Sequence, residues 1–213
     1  MFKRNQVEEA IAVVLEPGAA KLSSETRTRL KRLLETDRNL GRSKRSADPE
    51  RANFAFHSMD APGRGLENWF SGYEAFALLT GLRLMRDRWP QGLVVAVLRR
   101  VKPDLERHHA RILTDPTVLF DETHVRQHAK PGDLAVSNTD PVFLVINSKD
   151  QEDRLASNPA AICRGQAALM DFIKGWGPGQ TWMVMELGTS IHLALAKAVP
   201  RKRGRGANSK ISG

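Results

Sequence analysis

Residues 5–36, Asn5-Gln6-Val7-Glu8-Glu9-Ala10-Ile11-Ala12-Val13-Val14-Leu15-Glu16-Pro17-Gly18-Ala19-Ala20-Lys21-Leu22-Ser23-Ser24-Glu25-Thr26-Arg27-Thr28-Arg29-Leu30-Lys31-Arg32-Leu33-Leu34-Glu35-Thr36, decide how the chain begins. Val7, Ala10, Ile11 and Val14 recur at the spacing of one helix face. Asn5 followed by Glu8 has the form of a capping box, and Glu8 and Glu9 suit the positive end of the helix dipole. Pro17-Gly18 stops this helix. Ser23 or Ser24 can cap a second one running to about Thr36, with Leu30, Leu33 and Leu34 inward. Two short helices about a Pro-Gly turn have the outline of a helix-turn-helix. The second carries Arg27, Arg29, Lys31 and Arg32 on its other faces, with Arg38 just beyond. Arginine grips guanine through O6 and N7, and both cation types neutralise phosphates. This strip is the expected DNA contact.

The charge distribution agrees. The 213 residues carry 33 Lys and Arg against 24 Asp and Glu, a net charge of +9. Residues 1–51 hold twelve bases and eight acids, and residues 200–213 hold five bases and no acid, whereas residues 117–199 hold seven bases and nine acids. A polyanion is the natural partner of such asymmetry. The 41% hydrophobic content supports a folded core. No apolar run reaches the roughly 18–20 residues of a membrane span, and no secretory pattern follows Met1, so a cytoplasmic, nucleoid-associated protein without membrane partners is expected. Cys163, the single cysteine, excludes an intrachain disulfide and a multi-cysteine zinc site.

Farther along, residues 41–53 read as a basic loop containing Arg42, Lys44 and Arg45. Phe54-Ala55-Phe56 alternates, Asp60 to Gly65 supplies turn chemistry and Trp69-Phe70 follows, which predicts a two-stranded hairpin with Arg64 near its tip. Phe76, Leu79, Leu82, Met85 and Trp89 form a helical stripe; Pro90 and Pro103 each open a further helix, with Arg99-Arg100-Val101-Lys102 a basic patch between them. After Pro116 the pattern turns to strands at Val136, 142–146 and 181–187. These are interleaved with helices from Asn158-Pro159, burying Ile162, Leu169, Phe172 and Ile173, and from Ser190.

The expected fold is therefore α+β and mostly helical. A winged helix-turn-helix-like domain over 1–115 leads to a small α/β module over 116–199, for dimerisation or sensing, and a disordered basic tail over 200–213. In that tail Arg201, Lys202, Arg203 and Arg205 suit a narrow minor groove.

The run from Trp69 through Met85, Trp89-Pro90-Gln91-Gly92 and Val94–Val101 resembles the MerR-type winged-helix regulators, and Phe2 to Ala10 is similar to that family's first helix. The likeness spans residues 1–102. It departs from the family where Arg27 to Arg32 replaces the usual Thr-Leu-Arg run and no aromatic pair follows. It implies a homodimer that places the second helix in the major groove of double-stranded DNA, with the hairpin on the backbone or minor groove. Lys3 and Arg4, at the head of the first helix, belong to the expected contact.

Enzyme chemistry finds little footing. Gly63-Arg64-Gly65 lacks the third glycine of a dinucleotide site, and Gly175-Trp176-Gly177-Pro178-Gly179 lacks the Lys-Ser/Thr ending of a phosphate loop. Ser190-Ile191-His192 forms no triad, and His124 and His128, spaced i, i+4, have no third ligand. Neither a cofactor nor a metal is expected. The sequence thus points to a sequence-specific DNA-binding transcriptional regulator. The alternatives are a non-specific nucleic-acid-binding or scaffolding protein and, less favoured, an enzymatic or ligand-binding C-terminal domain.

Overall fold

A computed structural model describes residues 1–19, 21–58, 69–112, 141–147, 160–176, 179, 181–188 and 191–198. The chain opens with β1 (Phe2–Lys3) and α1 (Arg4–Leu15), then α2 (Ser24–Asn39) and the single turn α3 (Pro49–Ala52). Next come β2 (Trp69–Phe70), α4 (Gly72–Arg86) and α5 (Gln91–Ile112). The last elements are β3 (Val142–Asn147), β4 (Ala160–Arg164), α6 (Gly165–Lys174), β5 (Trp182–Glu186) and α7 (Ile191–Lys197). The fold is α+β and mostly helical. Among the described residues no helix is long and apolar enough to cross a membrane.

Helix α1 begins one residue before the expected cap. Gln6 rather than Glu8 reaches back, its Oε1 accepting from the Lys3 amide at 3.0 Å. Ser23 caps α2 as expected, accepting from the Thr26 amide. Ser71 and Glu74 form a reciprocal capping box on α4. Buried Val7, Ala10, Ile11, Leu30, Leu33, Leu34, Phe76, Leu79 and Leu82 form the centre of the core. Val142, Leu144, Ile146, Leu187, Ile191 and Leu195 join the same cluster. The boundary expected at 115–116 falls outside the described residues. Helices α2, α4 and α5 close on Gly81, where an added Cβ would lie 3.2 Å from Leu33 and 3.3 Å from both Leu98 and Phe56.

Several expectations are overturned. The hairpin partner of Trp69-Phe70 is β1, antiparallel in the register Phe2↔Phe70 and Lys3↔Trp69. Phe54-Ala55-Phe56 forms no strand because the amides of Ala55 and Phe56 donate instead to the buried carboxylate of Asp37. Its apolar alternation serves the helical core, with residues 54–57 all buried. Pro103 lies inside α5 rather than opening a new helix. An interior proline costs roughly 3 kcal/mol, and here Leu98, Val101 and Leu105 bury on both sides of it and offset that cost.

Residues 160–164 form a strand, not the start of a helix. β4 and β5 flank β3, both antiparallel to it, with Leu144 opposite Ile162 and Met185. The C-terminal sheet is therefore antiparallel rather than of the α/β type, and α6 starts only at Gly165, where φ is 78°. None of α6 is fully buried, contrary to the expectation for Leu169, Phe172 and Ile173. Val136, Asn158, Pro159, His124 and His128 lie outside the described residues.

Candidate nucleic-acid interface

The joint between α1 and α2 is built around Glu16. Its carboxylate accepts from the Ser23 amide (2.8 Å), the Ser23 hydroxyl (2.7 Å) and the Thr26 hydroxyl (2.6 Å). These hydrogen bonds hold the Glu16 carboxyl below its ordinary range. Glu8 adds a second tie, receiving Arg4 Nε at 2.8 Å and Arg27 Nε at 3.4 Å. Arg27 also donates to the Leu22 carbonyl. The head of α2 is thus tied to the end of α1 through Glu16 and to its first turns through Glu8.

On α2 the cations do not make a single ridge. At about 100° per residue, Arg27, Lys31 and Arg38 fall along one flank, while Arg29 and Arg32 fall toward the other. Arg29 pairs with Glu25, and Lys31 approaches Glu35 at 3.6 Å. Both are i, i+4 surface pairs of small energetic weight, so the cations remain available to a stronger anion. Arg32 and Arg38 are exposed, and no ion pair with a described residue engages either. On the Arg32 side, Gln91 at the head of α5 donates to the Arg32 carbonyl and the Thr36 hydroxyl, fixing α2 against α5.

The other expected contacts divide. Lys3 lies over the Trp69 ring at 5.2 Å on the β1–β2 ribbon. Arg42 is packed, its guanidinium 5.1 Å from the centre of the Phe54 ring. Lys44 and Arg45 are exposed on a turn closed by Ser46 N donating to the Ser43 carbonyl. The segment read as a loop therefore includes this turn and α3. Arg64, Arg201, Lys202, Arg203 and Arg205 lie outside the described residues. However, Gln6 donates to the carbonyl of Ala198 at 2.8 Å, so the tail roots two residues beyond a point fixed on α1.

The basic patch expected at 99–102 is mostly interior. Arg99 is 3% exposed and pairs with Asp37, which is fully buried, at 2.7 Å. It also donates to the carbonyls of Asp37 and Gly41. Arg100 pairs with Glu50 of α3 at 2.6 Å. Lys102 is buried, donating to the carbonyls of Phe54 (3.0 Å) and His57 (2.7 Å). These residues hold segment 54–58 and the end of α2 in place, a role that local sequence patterns do not signal.

His57 sits within this assembly, packed edge-on to Phe54 and tilted against Phe70. Its Nε2 is buried without a hydrogen bond. Burial pushes the imidazole below its ordinary value of 6.5, against the opposing pull of Asp37 and Glu74. A histidine kept neutral in the fold leaves stability complete above about pH 6.5 and erodes it as pH falls, since the unfolded chain then binds the extra proton. Urea unfolding at pH 7.5 and 5.5 is expected to show lower stability in acid, and His57→Phe is expected to flatten that dependence. Equal slopes for both chains would contradict the assignment.

Among the described residues no group of three or more His, Cys, Asp or Glu could hold a metal ion. No protein-family model, curated protein or solved structure matches the chain.

Proposed function

We propose that this chain is a sequence-specific DNA-binding regulator, with α1 and α2 as a helix-turn-helix, the β1–β2 ribbon as its wing, and the basic tail as an additional arm. The observation that carries this reading is the braced α1–α2 joint, with exposed Arg32 and Arg38 on α2 and the root of the cationic tail fixed to α1 at Gln6. Rigid presentation of basic side chains is what a duplex contact requires. Acting on chromosomal DNA would place the protein at the nucleoid.

A homodimer fits the same reading, because two-fold symmetric proteins match palindromic half-sites. Met170, Trp176 and Val184, each exposed, on α6, the turn after it and β5, offer apolar side chains for protein contact. A second reading, non-specific binding in a scaffolding role, draws on the spread of the α2 cations over two flanks. It predicts equal affinity for every sequence.

The test is selection of bound fragments from random duplex, followed by anisotropy titration of selected and unselected DNA at fixed salt. Preference by a factor of roughly 10³ or more is expected of a specific reader. Equal affinity would transfer the assignment to the second reading, and no binding would overturn both.

A further inference from the structure

Strand β5 is an edge of the C-terminal sheet, and the hydrogen bonds at the sheet's end show which of its backbone groups point outward. Leu187 N donates to the Val142 carbonyl at 2.8 Å, continuing the β3–β5 register by one pair. Antiparallel strands alternate between bonded and non-bonded pairs. Met185 therefore bonds to Leu144 and Met183 to Ile146, while Trp182 and Val184 turn their N–H and C=O away from β3. The other flank agrees. Gly165 N donates to the Pro141 carbonyl at 2.7 Å, which assigns the alternate residues Phe143 and Val145 to bonds with β4. Among the described residues β5 pairs with β3 only, whereas the opposite edge, β4, packs against α5 and α6.

The composition of β5 does not protect such an edge. Residues 182–186, Trp-Met-Val-Met-Glu, hold no Lys, Arg, Pro or Gly, residues that commonly discourage a further strand. Met183 and Met185 pack on the core, so the alternation turns Trp182 and Val184 to the other side of the sheet. Val184, at the midpoint of the strand, is 42% exposed. Two residues before it, the Trp182 ring lies 5.5 Å from Phe172 and 6.2 Å from Trp176, itself 50% exposed. Outward backbone groups and an aromatic margin thus lie together.

We infer that two copies of this chain join through β5, antiparallel about a two-fold axis at Val184, into one continuous six-stranded sheet. An axis on an outward-facing residue makes the outward residues meet each other, so Val184 exchanges both hydrogen bonds with the partner's Val184. The same register sets Trp182 opposite the partner's Glu186, so no carboxylate faces its own copy. Such an interface serves the homodimer of the reading above, but it is argued from the sheet alone and holds whether or not the chain binds DNA.

Sedimentation tests it. The full chain, of 23.7 kDa, is expected to run at twice that mass at micromolar concentration. Val184→Lys sets two ammonium groups at the axis and is expected to weaken association by about tenfold or more. Val184→Cys brings two Cα atoms to about 5.5 Å, inside the roughly 4.4–6.8 Å span of a disulfide. It is expected to give a linked dimer with oxidised glutathione, since Cys163 is buried, while Arg164→Cys on β4 stays unlinked. The crosslink decides the matter where Val184→Lys lowers the melting temperature. A monomeric full chain across the micromolar range would overturn the inference, and dimerisation only after removal of residues 200–213 would make the tail the occupant of the edge. A dimer that survives Val184→Lys and leaves Val184→Cys unlinked would overturn it and place the contact elsewhere. Equal linking of both cysteine variants would report random collision and overturn it too. DNA binding, measured on the same samples by anisotropy, stands or falls separately.

Discussion

Replacing Asp37 with alanine is expected to lower stability by about 3–5 kcal/mol, the cost of breaking a buried ion pair from one side. The carboxylate is fully buried, and three groups depend on it: Arg99 Nε at 2.7 Å and the amides of Ala55 (3.0 Å) and Phe56 (3.1 Å). Alanine leaves the Arg99 guanidinium uncompensated where water cannot replace the carboxylate, and two backbone donors lose their acceptor. For a chain of this length the loss corresponds to a fall of about 10 °C in melting temperature. Asp37→Asn retains an acceptor without the charge and should fall between the two. Asp37→Leu combined with Arg99→Met should recover much of the loss, as apolar replacement of both partners removes the stranded charge. Urea unfolding of the four chains measures this, and a melting temperature for Asp37→Ala within about 2 °C of the parent would refute it.

On the DNA-binding reading proposed above, removing residues 200–213 is expected to have the largest effect on affinity. Each phosphate neutralised contributes about 0.9 to the slope of log K against log salt. Five cations lost should therefore reduce that slope by about 4–5, compared with about 2 for Arg32→Ala combined with Arg38→Ala. The two changes should also differ in kind. Tail removal should weaken binding to selected and random duplex alike, whereas the α2 substitutions should narrow the ratio between them. Anisotropy across roughly 50–300 mM salt separates these outcomes. A slope unchanged by tail removal would place those five cations outside the interface.

The helices were legible wherever the evidence for them was local. Val7, Ala10 and Ile11 repeat at helical spacing, Ser23 announces α2, and the stripe from Phe76 to Leu82 announces α4, because one face of each must bury. The failures share a cause. Phe54-Ala55-Phe56 mimics a strand since an irregular segment also alternates when it threads between helices, and the acceptor that captures its amides is Asp37, many residues away. Pro103 signals a helix start by every local rule, yet packing on both sides of it overrides the signal. Arg99 and Lys102 look like surface charge until Asp37 and the carbonyls of Phe54 and His57 enclose them. For the candidate site, basic residue types were legible, but their division between packed Arg42 and exposed Arg32 or Arg38 was not. That division depends on which distant side chain each one meets.

The docking of α7 on α1 joins pieces of chain that are synthesised far apart in time. At 5–20 residues per second, roughly 10–35 s separate their emergence during translation. Through that interval the apolar side of the first helix that finally receives Ile191, Ala194 and Leu195 stays bare, a surface of the sort holdase chaperones recognise. A product truncated before residue 191 would keep it bare permanently, so premature termination should yield aggregation-prone fragments rather than a smaller working protein.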